Sequence, residues 1–162
     1  SSHAEGTHPG PQNLPVFHDF ELAQKFAKEV NKPVFVDFTG HACQNCRKME
    51  ENTWGEPGIK EILRDQVVIV SLHVDDKTAL PTSEQGVFEY APGKTMEVNS
   101  IGNKWSLLQA KRYQSNTQPY YRMLGPNGED LSNGSADYEH HSNAADFKKW
   151  LDEGLSLYKN SK

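Results

Sequence analysis

Two short runs, Pro33-Val34-Phe35-Val36-Asp37-Phe38 and Val67-Val68-Ile69-Val70-Ser71-Leu72, constrain this chain more than anything else in it. Each is rich in β-branched and aromatic side chains and almost continuously apolar, the pattern of a strand covered on both faces. Ahead of the first run, Phe20, Ala23, Phe26, Ala27 and Val30 recur at spacings of three and four behind Asp19, a residue type that caps helix starts. Between the runs, Cys43 to Thr53 contains no Gly or Pro, and Pro57 to Asp65 places Ile59, Ile62 and Leu63 at helical spacing behind a first-turn proline. The order helix, strand, helix, strand predicts an α/β fold: parallel strands, right-handed crossovers and helices on both faces of the sheet.

The rest of the chain is less regular. Residues 1–15 mix Ser, His, Gly, Pro and Asn with few aliphatics, so a flexible arm is expected, with the folded domain over 16–160. Residues 75–103 show no sustained period and read as an insertion after the second core strand, with a hairpin over Val87 to Val98 about Pro92-Gly93. It is read equally as a decorated edge and as a lid or docking surface. A helix is predicted over Lys104 to Tyr113. Pro119 to Leu124, the turn Gly125-Pro126-Asn127-Gly128 and a return strand from Glu129 to Leu131 form an antiparallel hairpin. A last helix, Ala144 to Tyr158, aligns Phe147, Trp150, Leu151, Leu155 and Tyr158.

At 162 residues the chain fits one domain that needs no staple. Its net charge of −5 offers no basic field for a phosphate backbone, so no nucleic-acid partner is expected. The longest aliphatic run, Val67 to Val70, is far below the roughly 18 apolar residues of a membrane span. No direct membrane insertion by this chain and a monomeric state are expected. The polar opening from Ser1 to Pro15 carries no basic stretch followed by an apolar one, so no signal peptide is read there.

Only two cysteines occur, Cys43 and Cys46, and their spacing cannot staple a fold. At a helix start, the first sulfur sits beside free backbone N–H groups and the positive end of the helix dipole, which stabilise a thiolate. Cys43 is the candidate nucleophile. Cys46, one turn on, is placed to attack a mixed disulfide and resolve it. A Cys-x-x-Cys pair is also half of a zinc site, and His41, His73, His140 and His141 are the residues that could complete one, although none has paired ligand spacing. No metal and no cofactor beyond the redox-active pair is expected, since the dithiol lies within a βαβ pattern.

Asp37 interrupts a buried run. A carboxylate there is costly without partners, so it is either a buried acid able to exchange the proton of Cys46 or an edge-facing solvated one. Glu50, one turn after Cys46, either flanks the sulfurs or lies on the exposed helix face. Gln118-Pro119 precedes a strand; a cis bond would present backbone to a substrate, while a trans strand-start proline is the ordinary alternative. Trp54, Trp105, Tyr120, Tyr121 and Trp150 are assigned to the core, Arg47 and Lys48 to the helix surface, and His41 to an exposed loop.

The stretch from Lys32 to Glu50, with Asp37, Cys43-Gln44-Asn45-Cys46 and Glu50, resembles thioredoxin-like proteins, most of all the C-terminal periplasmic domain of the thiol:disulfide interchange protein DsbD of the Bacteroidetes type. Val74-Asp75-Asp76-Lys77-Thr78, Gly102-Asn103-Lys104-Trp105 and Gln118-Pro119 extend the similarity over about residues 19–158. It implies a thioredoxin-like fold with a mixed central sheet, a cis-proline at Pro119, and catalytic roles for Cys43, Cys46, Asp37 and Glu50, with Gln118 and Pro119 binding substrate. It also implies a periplasmic protein-disulfide reductase within an inner-membrane protein. Electrons would come from a membrane-embedded donor domain and pass to periplasmic acceptors, as in cytochrome c biogenesis. Departures from the thioredoxin pattern are Ala42 in place of Trp, Gln44-Asn45 in place of Gly-Pro, and Tyr120 in place of Thr.

Overall fold

A computed structural model describes residues 5–161. Strands β1 (His8–Pro9) and β2 (Pro15–Phe17) precede helix α1 (Phe20–Val30), β3 (Val34–Thr39), α2 (Gln44–Glu51), α3 (Ile59–Asp65) and β4 (Val68–His73). A hairpin of β5 (Gly86–Ala91) and β6 (Lys94–Val98) follows. Then come α4 (Ile101–Tyr113), β7 (Tyr120–Leu124), β8 (Ala136–Asp137), the short α5 (Tyr138–His141) and α6 (Ala144–Asn160). Six strands form one sheet in the order β1-β2-β4-β3-β7-β8. Strands β2, β4 and β3 are mutually parallel, and β7 runs antiparallel to β3. This is the mixed thioredoxin-like α/β sheet expected from the sequence.

The apolar runs earn their central positions by filling both faces. Phe35 of β3 joins Met49, Trp54, Ile59, Leu63, Tyr121 and Phe147 under α2, α3 and α6. Val34, Val36 and Phe38 join Ala23, Ala27 and Trp105 under α1 and α4. Caps fix where the helices begin: Asp19 accepts from Leu22 N at 2.8 Å, Ser100 from Asn103 N at 3.1 Å, and Asn143 from Ala145 N at 2.9 Å. The Ser100 cap starts α4 at Ile101, three residues before the expected Lys104. Gly58, at φ 90°, caps α3, which leaves Pro57 in the preceding turn rather than the first helical turn.

Three expectations are corrected. The flexible arm over 1–15 is not the state of residues 5–15; residues 1–4 lie outside the described ones. Leu14 is 1 % exposed and Val16 is buried beside it in the core, β1 pairs with β2, and β2 pairs with β4. Gln12 Nε2 also donates to Glu50 O at 2.9 Å. One buried leucine, the β1–β2 pairing and the Gln12 hydrogen bond hold a segment whose composition is polar. The return strand from Glu129 to Leu131 reduces to one bridge between Asp130 and Leu124, and the second antiparallel neighbour of β7, besides β3, is β8. Asp130 instead accepts from Tyr113 Oη at 2.7 Å and from Arg112 Nε at 3.1 Å. Third, α2 stops at Glu51 and a 3₁₀ turn, Thr53–Gly55, continues the chain.

The hairpin turns at Pro92-Gly93 as expected, with Gly93 at φ 74°, and packs against α4. Among the described residues no helix is long and apolar enough to cross a membrane.

Candidate active site

The site lies beyond the carboxyl ends of the central parallel strands, where α/β sheets commonly place their chemistry. From Thr39 at the end of β3, Gly40-His41-Ala42 leads to Cys43. Asp75, just past the end of β4, holds that loop: its carboxylate accepts from His41 N at 2.9 Å and from Ala42 N at 3.0 Å. A Cβ at Gly40 would come within 3.3 Å of Asp75 Oδ2, so glycine permits the close approach. Burial raises the Asp75 pKa, but the amides of His41, Ala42 and Asp75 together with the His41 charge hold the carboxyl below its ordinary value. The loop is therefore pinned by a charge-assisted pair of bonds directly ahead of the dithiol.

Cys43 is the N-cap of α2, and its Sγ accepts from Cys46 N at 3.2 Å. The two cysteines are joined in a disulfide with Cα atoms 5.3 Å apart. Cys43 is half-buried, whereas Cys46 is 1 % exposed. A partner can reach the first sulfur and not the second.

Asp37 is buried in the central strand, so it is not edge-facing. Side chains of a strand alternate between faces, which puts Asp37 with Phe35 on the side covered by α2, the helix that carries Cys46. Burial raises its pKa well above the ordinary carboxylate value and the charge of Glu50 raises it further; the Ser71 hydroxyl and Arg47 oppose this. Ser71, opposite Asp37 in β4, donates to Asp37 Oδ2 at 3.1 Å. Glu50 is also buried rather than on an exposed helix face. Burial raises its pKa too, against the pull of Arg47.

Arg47 joins Glu50 to the end of β3. Its Nη2 donates to Glu50 Oε2 at 3.0 Å and to Thr39 Oγ1 at 3.3 Å, and its Nη1 donates to His41 O at 3.3 Å. Arg47 Nε sits 2.8 Å from Glu50 Oε1 in an ion pair that lacks hydrogen-bond geometry. Placed on the helix surface by the sequence reading, Arg47 in fact ties α2 to the end of β3. The spacing of Arg47 and Glu50, three residues on one helix, was the available signal.

The Gln118-Pro119 peptide is cis, and Pro119 is buried. Because Tyr120 pairs with Phe38, Pro119 stands beside the end of β3, where the dithiol loop begins. Fully buried Gln109, on α4, supports this segment: its Nε2 donates to Thr117 O at 2.8 Å and Ser115 Oγ at 3.2 Å, and its Oε1 accepts from Gln118 Nε2 at 2.9 Å. Gln109 was not singled out from the sequence, and Asp75 was named only within the resembling stretch Val74 to Thr78, without a role. A glutamine one turn after Trp105 on the buried side of a helix was the only mark of the former.

The histidines do not converge on the sulfurs. His41 is exposed and its ring stacks on His73 with centroids 4.0 Å apart, while His140 and His141 lie on α5 beside Asp137. Burial, then His41 and His18, push His73 down to about 4. Among the described residues no group of three His, Cys, Asp or Glu side chains is arranged to hold a metal ion. Trp54, Trp105, Tyr121 and Trp150 are core residues, and Tyr120 packs against the core.

Residues 16–93 match a family model described as Thioredoxin-like. Comparison with curated protein sequences finds no match. Among solved structures, a thioredoxin from Thermus thermophilus has a TM-score of 0.62 at 20% identity, over 91% of this chain and 92% of that one. A protein named DsbH oxidoreductase has a TM-score of 0.58 at 17% identity, over 98% of this chain and 94% of its own. At such identities the likeness is one of fold. The family match over residues 16–93, the sheet order and the two solved structures show a thioredoxin-like fold, and the Cys-x-x-Cys disulfide stands at the start of its helix α2.

Proposed function

We propose that the chain is a protein-disulfide reductase that takes electrons from a membrane-embedded donor domain and passes them to periplasmic acceptor proteins through Cys43 and Cys46. One observation carries the reading: a half-exposed cysteine caps a helix, and a buried cysteine one turn deeper lies on the helix that covers Asp37 and carries Glu50. The thiolate of Cys43 attacks a substrate disulfide, forming a mixed disulfide and releasing one substrate thiolate. Cys46, losing its proton, then attacks Cys43 Sγ and expels the second. Asp37 accepts that proton, its raised pKa bringing carboxyl and thiol closer to a match. The dithiol supplies the electrons, so no further cofactor is needed. The DsbD-like resemblance supports the periplasmic address, the donor and the acceptor; the chain acts as a monomer in this reading.

Insulin reduction tests the reading. With dithiothreitol as donor, catalytic amounts of the chain are expected to accelerate insulin precipitation; a rate equal to dithiothreitol alone defeats the proposal. A second reading, a non-catalytic binding module using the 75–103 insertion, is favoured by Val87 at 67 % and Phe88 at 40 % exposure on the hairpin. A dithiol that stays in one state across glutathione potentials decides for the module.

If the backbone around Gln118 and Pro119 receives substrate, Gln109 positions it. Gln109→Leu is expected to raise KM for a protein disulfide about 5-fold, the equivalent of one lost neutral hydrogen bond. The rate with a small aromatic disulfide, which does not span this segment, stays within about 2-fold. An equal loss on both substrates points to general disruption instead.

A further inference from the structure

The two oxygens of the Asp37 carboxyl are unequal. Oδ1 is buried without a hydrogen-bond partner, and Oδ2 has Ser71 Oγ at 3.1 Å. Among the described residues Ser71 is the only hydrogen-bond partner of this carboxyl. Ser71 also lines a second space: a cavity of about 250 Å³ whose polar walls include Arg47, Glu50, His18 and His73 and whose other wall is the turn Pro9-Gly10-Pro11. His18 is exposed and held at this cavity by a contact of 3.1 Å between its Nδ1 and Ser71 O. Part of the segment that composition marked as a free arm, Pro9-Gly10-Pro11, is therefore one wall of a polar space next to the buried acid.

We propose that Ser71 is a proton relay between Asp37 and this cavity, giving the buried carboxyl its route to solvent. The inference rests on the reading above, in which Asp37 takes the proton of Cys46. Once loaded, Asp37 must lose that proton before the next cycle, yet it is 1 % exposed. A hydroxyl solves the problem because it accepts and donates at once. The protonated carboxyl gives its hydrogen to Ser71 Oγ while the Ser71 hydroxyl hydrogen passes to a base in the cavity, water or the Glu50 carboxylate. Asp37 ends ionised, Ser71 ends as the neutral hydroxyl, and the base ends with one added proton. Two O–H bonds break and two form, and no charge rests on Ser71. His73, pushed down to about 4, stays neutral near pH 7 and puts no fixed cation in the path. The charged groups acting on Asp37 are Glu50 and Arg47 from α2, and its neighbour in β7 is Tyr121.

The test separates a relay from a simple influence on acidity. The Ser71 bond also lowers the Asp37 pKa, so Ser71→Ala moves the pH–rate profile of insulin reduction to higher pH in either case. A relay adds a second effect: the high-pH plateau falls by about 10-fold, while Ser71→Thr, which keeps the hydroxyl, stays within about 2-fold of wild type. Alkylation of Cys43 by iodoacetamide is expected to be unchanged in both. The double variant Asp37→Asn/Ser71→Ala is expected to be no slower than Asp37→Asn alone. A Ser71→Ala plateau equal to wild type overturns the relay, and so does equal impairment of the Ala and Thr variants. If Asp37→Asn also leaves the rate unchanged, the role of Asp37 itself falls; if only the Ser71 variants are silent, the relay falls alone.

Discussion

Serine at position 43 is expected to stop insulin reduction, by roughly 10³-fold or more, the scale on which removal of a covalent nucleophile acts. Serine at 46 produces a different failure. Cys43 still attacks, but the mixed disulfide cannot be resolved from within, so a covalent adduct with substrate accumulates and is visible on a non-reducing gel. The asymmetry follows from placement: Cys43 is half-buried at the N-cap of α2, and Cys46 is shielded one turn below. The helix terminus favours the thiolate of the first and not of the second. Its kinetic benefit is modest. Lowering a thiol pKa from about 8.5 to about 7 raises the thiolate fraction at neutral pH roughly 16-fold. A Brønsted slope of about 0.4–0.5 then returns roughly 5-fold of that in lost nucleophilicity. The larger consequence is a better leaving group at Cys43 and a shifted reduction potential. Turnover by Cys43→Ser, or an adduct formed by Cys43→Ser and not by Cys46→Ser, reverses the assignment.

How much of this was readable depends on where each residue's partners lie. The runs around Val36 and Val70 announced themselves because a parallel strand covered on both faces must be apolar almost throughout. The charged exception, Asp37, stood out for the same reason, whereas Ser71, the polar residue of the second run, was passed over. Helical periodicity put Glu50 one turn after Cys46 but left open whether it flanked the sulfurs or faced solvent; the resemblance implied the former. Asp75 and Gln109 are different: Asp75 reaches amides 33 and 34 residues away, and Gln109 reaches a loop eight residues past its own position. A carboxylate after a strand or a glutamine in a helix has many ordinary uses, and only the packed chain shows which one applies. The segment over 5–15 failed for a related reason. It is held by the pairing of β1 with β2 and by Leu14 inside the core, neither of which a window of polar composition can register.

Asp37→Asn is expected to slow disulfide turnover about 10²-fold near neutral pH, the lower end of what a positioned acid or base contributes. Its effect on stability has the opposite sign. Burial, reinforced by Glu50, makes the folded chain hold the Asp37 proton to higher pH than the unfolded chain does. Across that interval the folded state binds more protons. The Asp37 contribution is thus fully present below the ordinary carboxylate value near 4 and is lost as pH rises through the folded pKa. Asparagine has no proton to lose, so the variant is close to wild type in urea midpoint at about pH 4 and more stable than wild type at about pH 8. A slower and more stable protein is the mark of a buried charge kept for chemistry. Glu50→Gln supplies the complementary shift: without its charge, and with Arg47 freed from the ion pair, Asp37 ionises at lower pH and the rate profile moves down. That is opposite to the shift from Ser71→Ala, so the two variants bracket wild type if a single buried carboxyl governs the profile. A pH profile of Asp37→Asn that superposes on wild type excludes that carboxyl from the proton transfer.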